Sequence, residues 1–172
     1  RDVKPIAKDL IAKFGSFAET IAAPTERLAE VKGISEKTAL DLKLIKAAAT
    51  KLGQESLLGR PILSSWAALV EYCRGAMQFE GKEQFRVLFL DRKNRLIADE
   101  VLGHGTVDRA PVYPREVIKR ALDLNSTAII LTHNHPSGDP TPSQSDLSMT
   151  EQIVKAANSI GLTVHDHLII GR

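Results

Sequence analysis

Three side chains able to grip a metal ion fall within one short run, Leu131 to Asp146. His133 and His135 stand on alternate positions, and Asp146 follows with ten residues between it and His135. Two imidazoles and a carboxylate are donors that Zn²⁺ accepts in tetrahedral geometry, and three protein ligands leave a fourth position for water, the pattern of a catalytic rather than a structural zinc. A plainer reading stands beside it. Ser143 and Asp146 have the spacing of a helix capping box, with Ser143 as N-cap and Asp146 reaching back, and loop histidines commonly hydrogen-bond the local backbone. Spacing alone leaves both readings open.

The elements around the run must aim it. Ala128 to Leu131 is an apolar stretch that reads as a buried strand, and Ser143 or Ser145 opens a helix with Leu147, Ile153, Val154, Ala157 and Ile160 inward and Gly161 at its end. Between them Pro136, Gly138, Pro140 and Pro142 restrain the backbone, which suits side chains that must converge on one point. Upstream, Ser64 or Ser65 caps a helix carrying Trp66, Leu69, Val70, Cys73 and Met77. Gln84 to Leu90 is a strand, Asp91 to Arg95 a turn and Leu96 to Leu102 its hairpin partner, with Gly103 to Thr106 as a bulged continuation. Pro114 starts a helix through Val117, Ile118, Ala121 and Leu122, and Leu162 to Val164 with His167 to Ile170 closes the sheet. Helices and strands in this order describe an α/β domain with a mixed sheet covered by helices. Strand alternation puts His165 and His167 on one face, where they either orient a metal ligand or pack as ordinary hydrogen-bonded histidines. Arg86, Arg92, Lys93 and Arg95 form either a basic rim or a solvated hairpin.

The chain has 172 residues, 43% of them apolar and 5% aromatic, so its core must rest on Leu, Ile, Val and Ala. Its 23 basic and 21 acidic residues give a net charge of +2, which neither demands nor excludes nucleic acid. Residues 1–60 hold 11 of the basic and 8 of the acidic residues, so any nucleic-acid face is expected there. The single cysteine, Cys73, excludes an internal disulfide and fits a reducing, cytoplasmic setting. No apolar run reaches membrane-spanning length and no signal-like segment opens the chain. The ends, Arg1 and Arg172, are expected to be those of a fragment.

The first part reads as a small all-helical domain, residues 1–58, joined through a turn-prone linker at Gln54 to Pro61 to the second, residues 62–172. Apolar residues from Ile6 to Phe14 recur at helical spacing up to Gly15, and Ser16 and Pro24 open further short helices. Lys32-Gly33-Ile34-Ser35 is a tight connection into a longer helix carrying Ala39, Leu42, Ile45 and Ala49 and closed by Gly53. Short helix, glycine-containing hairpin and capped helix look like a helix-hairpin-helix element, which can hold a phosphate on helix N–H groups. Lys32, Gly33, Lys37 and Lys43 would then touch DNA, nonspecifically and with strong salt dependence. Ser35 stands where such hairpins usually have a second glycine. The alternative is a helical bundle that merely packs on the larger domain.

His133-x-His135-Pro136, six residues, Ser143, two residues, Asp146 is similar to the metal signature of the JAMM group of metalloenzymes. The wider run, including Glu83-Gln84-Phe85, Gly103-x-Gly105-Thr106, Thr132 to Gly138 and His165 to Gly171, resembles the bacterial RadC-like proteins, as do the first sixty residues. The resemblance implies a mixed-sheet MPN/JAB-like domain, layered as in cytidine deaminases, behind a small all-helical domain. It also implies one Zn²⁺ per chain on His133, His135 and Asp146, with Ser143 holding an oxyanion and Glu83 as general base, Glu100 being the reserve. The implied activity is zinc-dependent hydrolysis of a peptide or isopeptide bond in an unknown protein or peptide. The other reading of the family is a DNA-associated accessory protein of repair or recombination. Neither fixes the oligomeric state.

Overall fold

The structure, a computed structural model, describes residues 2–105 and 112–172. Thr106, expected to continue the bulged segment, lies outside them. The chain divides into two compact units, Arg1–Gly53 and Gln54–Arg172.

The first unit is helical. Helices α1 (Lys4–Phe14), α2 (Phe17–Ala22) and α3 (Thr25–Ala29) precede α4 (Glu36–Leu57), which starts in this unit. Gly15 ends α1 at φ 101°, a left-handed conformation that glycine adopts without steric cost. Ser16 caps α2 by accepting from the Glu19 N–H. Leu10, Ala23, Leu28, Val31 and Ala39 are buried together as the unit's core. Gly53 does not end α4, which runs on to Leu57, so the expected linker at Gln54 to Pro61 begins as helix. One glycine costs a helix only about 1 kcal/mol, too little to stop twenty-two residues of it.

The second unit is a three-layered α/β domain. A short 3₁₀ turn at Leu63–Ser65 leads into α5 (Trp66–Met77), followed by β1 (Gln84–Leu90), β2 (Leu96–His104), α6 (Pro114–Asp123), β3 (Ala128–Asn134), α7 (Gln144–Asn158) and β4 (Thr163–Ile170). The sheet order is β2-β1-β3-β4, antiparallel between the first three and parallel between β3 and β4. Alternation splits the apolar residues by face. Leu88, Leu90, Ala128, Ile130 and Ile170 pack on α5 through Leu69, Cys73 and Met77. Phe85, Val87, Phe89, Ile129 and Leu131 pack on α6 and α7 through Val117, Ala121, Ile153 and Ala157. Central β3 is buried along its whole length, and the His loop leaves its C-terminal end on the way to α7.

Some sequence expectations fail in detail. Leu147 and Ile160, expected inward, are exposed. Arg86 is no part of a basic rim, because its guanidinium pairs with buried Asp99 at 2.6 Å. Among the described residues no helix is long and apolar enough to cross a membrane.

Candidate metal centre

β3 carries His133 on the face packed against α7, stacked on Phe85 with ring centroids 6.2 Å apart. The next residue in the His-x-His pair faces the other way, and His135 returns to the first side just past the strand. Its backbone N–H donates to the Ile170 carbonyl at 3.0 Å, so the end of β4 holds the loop root. The proline-restrained crossing then brings in the first turn of α7. There Ser143 is the N-cap, and the capping box with Asp146 is present. Asp146 Oδ2 accepts from the Ser143 N–H and O–H, both at 2.7 Å. Asp146 Oδ1 lies 3.4 Å from His133 Nε2, and Oδ2 lies 3.4 Å from His135 Nε2. The capping box and the metal cluster are therefore one arrangement, not rival ones.

Protons on the imidazoles follow from their other partners. The Thr150 O–H donates to the Asp146 carbonyl at 2.6 Å. Its oxygen must then accept from His167 Nδ1–H, also at 2.6 Å. Neutral His167 presents Nε2 as acceptor to His133 Nδ1–H at 2.8 Å. His135 Nδ1–H donates to the Asp139 carbonyl at 2.7 Å. Burial, reinforced for His133 by its histidine neighbours, pushes His133 and His167 down to about 4, so both are neutral at pH 7. The Nε2 lone pair of His133 then faces His135 Nε2 across 2.9 Å beside the Asp146 carboxylate. Two nitrogens at that distance are reconciled by a cation between them, a shared proton or a metal ion. Burial raises the Asp146 carboxyl, but its two bonds from Ser143 and the nearby His133 and His135 outweigh that and hold it below the usual carboxylate range.

This His-His-Asp cluster is capable of coordinating a metal ion. Donors at 2.0–2.1 Å around a tetrahedral ion lie roughly 3.3–3.4 Å apart. Each His–Asp distance is of that size, though the two run to different oxygens of the carboxylate, and the His–His pair would open by about half an ångström. A cleft of about 520 Å³ opens over the cluster, lined by Gly81, Glu83, His135, Pro136, Ser137, Ser143, Asp146 and Arg172.

Residues 63–172 match the family described as the RadC-like JAB domain. A UPF0758 protein from Rhodobacter capsulatus is 59% identical over 172 residues, which is all of this chain and 80% of that protein. The chain belongs to the RadC-like JAB family.

In this RadC-like JAB domain the remaining candidates separate. Glu83 is buried and lines the same cleft as His135, Ser143 and Asp146. Glu100 lies elsewhere: Arg120 holds both of its oxygens, at 2.7 and 2.6 Å, and it is absent from the cleft wall. That guanidinium keeps the Glu100 carboxyl below its ordinary range. His165 and His167 do not share a role either. The β3–β4 register slips between Ile129 and Ile130. Val164 and His167, three apart, consequently both face α7, the latter edge-on to Phe85 at 5.5 Å. His165 goes instead to Asn94 Oδ1, 2.7 Å away. Thr150 and Asn134, which sequence reasoning passed over, both touch the site's supports. A threonine one turn after Asp146 was the available signal for the first.

Proposed function

We propose that the domain binds one Zn²⁺ per chain through His133, His135 and Asp146 and hydrolyses a peptide or isopeptide bond. One observation carries this reading: both histidines have their Nδ1 atoms engaged, so both Nε2 atoms and a carboxylate converge on one point, a donor set that a metal ion takes up in place of a shared proton. When bound, zinc supplies Lewis acidity to a carbonyl oxygen and lowers the pKa of a water from about 9 toward about 7. Glu83 receives the water's proton at its carboxylate and returns it to the leaving amine. The Ser143 hydroxyl, now donating to Asp146, turns to donate to the oxyanion that develops on the substrate carbonyl. Metal content and turnover on a peptide library, measured together in the unmodified protein and in Glu83→Gln, test the reading. One zinc per chain is expected in both, with cleavage reduced about 10²–10⁴-fold by the substitution. Hydrolysis at the ordinary rate in zinc-loaded Glu83→Gln would overturn it.

A second reading, a DNA-associated accessory role in repair or recombination without peptidase activity, has an observation of its own in the first unit. Gly33 turns the α3–α4 hairpin at φ 93°, and exposed Lys32 and Lys37 flank the start of α4. Ser35 Oγ already accepts from the Thr38 N–H at 3.2 Å, so fewer N–H groups remain for a phosphate than in a two-glycine hairpin. On this reading the protein binds duplex DNA with an affinity that falls steeply with salt, and joint charge reversal of Lys32 and Lys37 abolishes the binding. Anisotropy titrations at two salt concentrations decide it.

A further inference from the structure

Asn134 sits between the two histidines of the cluster, is 1% exposed, and spends its whole side chain on a different segment. Its Oδ1 accepts from the Gln84 N–H at 2.9 Å, and its Nδ2 donates to the Lys82 carbonyl at 3.2 Å and the Glu80 carbonyl at 3.4 Å. These three contacts bracket Glu83. The Glu83 carbonyl itself accepts from the Gly105 N–H at 2.7 Å, so the backbone on both sides of this glutamate is tied down. The segment from Gln78 to Glu83 is neither helix nor strand, and without such ties its register against β3 would be free. Alternation explains how one tripeptide does two jobs: His133 and His135 face the cluster while the residue between them faces the α5–β1 connection.

We propose that Asn134 is a positioning residue that fixes the Glu83 carboxylate relative to the His133–His135–Asp146 cluster. It acts through the backbone of residues 80–84, and the proposal rests on the reading of Glu83 as base. A buried amide with both donors and its acceptor satisfied is stiff, because breaking any one contact leaves a polar group stranded at about 1–3 kcal/mol. Both halves of the site therefore move together. No apolar or shorter side chain reproduces all three bonds, and Ser keeps at most a part of them.

The test uses the full chain loaded with Co²⁺, whose absorption bands report the ligand set, with ¹³C-labelled glutamate carboxyls observed by NMR. Paramagnetic relaxation of the Glu83 carboxyl carbon then reports its distance from the ion. Asn134→Ala is expected to keep one Co²⁺ per chain and the same bands while Glu83 loses paramagnetic relaxation, with Asn134→Ser intermediate. Unchanged Glu83 relaxation in a folded Asn134→Ala protein would overturn the proposal and leave Asn134 a purely structural residue. Altered cobalt bands would also overturn it, since the residue would then be acting on the ligands. Should Asn134→Ala not fold, amide exchange in the unsubstituted protein decides: the Gln84 N–H must be as protected as those inside β1, and rapid exchange there sinks the idea. Failure of the base reading is separate, since it appears as full turnover in Glu83→Gln with the relaxation result intact.

Discussion

Residue types settle the identity of the candidate ligands, and hydrogen bonds settle which atom each offers. His133, His135 and Asp146 were legible from the sequence because a strand with period two and a capped helix can be read from their neighbours. The His167 contact was not, because it depends on one bulge in β4. With regular alternation His165 would have been its equal; the slip at Ile129/Ile130 instead sends His165 to Asn94 and His167 to His133. The relay from the Asp146 carbonyl through Thr150 and His167 to His133 keeps the His133 Nε2 lone pair aimed at the cluster. Thr150→Val removes the acceptor for His167 Nδ1–H and releases that ring's tautomer. The expected result is a zinc affinity about 10–100-fold weaker with the fold retained. Isothermal titration with circular dichroism of the metal-free protein measures both quantities, and an unchanged affinity would show that the relay does not orient His133.

At the scale of elements, the loop is held by two strands' ends and one helix cap. Gly171 follows β4 and passes so close to the His loop that a Cβ there would lie 2.3 Å from the Gly138 carbonyl oxygen and 2.9 Å from Pro140 Cδ. Backbone has to move to admit it. The Arg172 N–H donates to that same Gly138 carbonyl at 3.0 Å, and the His135 N–H to Ile170, so the shift would pass directly into the segment bearing His135. Gly171→Ala is therefore expected to lower both the melting temperature and the zinc affinity. Gly75 is the control. It lies exposed in α5 with nothing within 4 Å of its added Cβ, and Gly75→Ala should raise stability by about 0.5–1 kcal/mol without touching the metal. Thermal melts of the two variants, with and without zinc, separate crowding from simple glycine loss. The helices, the hairpin and the strand before the loop were readable from periodicity and turn residues. The continuation of α4 past Gly53 was not, because a single glycine is a weak stop signal. The ion pairs Arg86–Asp99 and Arg120–Glu100 join residues distant in sequence, and only the register of β1 with β2 and the packing of α6 bring them together.

For the whole molecule, a cluster of buried imidazoles makes the metal-free protein sensitive to acid. His133 and His167 titrate near 4 in the folded chain, chiefly because they are buried, against 6.5 for an ordinary histidine. Above about pH 6.5 both states hold these rings neutral and pH has no effect through them. Below it the unfolded chain takes up protons that the folded chain refuses, so stability falls as pH drops and the loss levels off near pH 4. A separation of that size corresponds to about 3 kcal/mol for one such ring, a large share of the total of about 5–15 kcal/mol that a domain commands. Asp146 extends the loss in the same direction: its carboxyl is held below the usual range, so its contribution is present above that range and disappears as pH falls through its folded value. On the proposed function zinc opposes all of this at neutral pH, adding about 2.7 kcal/mol when free metal is a hundred times its dissociation constant. Urea unfolding between pH 7.5 and 4 should therefore show a falling midpoint for the metal-free protein, with the steepest part between pH 6.5 and 4. Added zinc should raise the midpoint at pH 7 and lose its effect in acid as protons compete for the same lone pairs. In His167→Asn the metal-free slope should be shallower, since one of the two refusing rings is gone and the other keeps a neutral partner. A midpoint flat from pH 7 to pH 4 in the unsubstituted metal-free protein would mean that these rings are not held neutral by the fold, and the lone-pair argument for a cation would go with it.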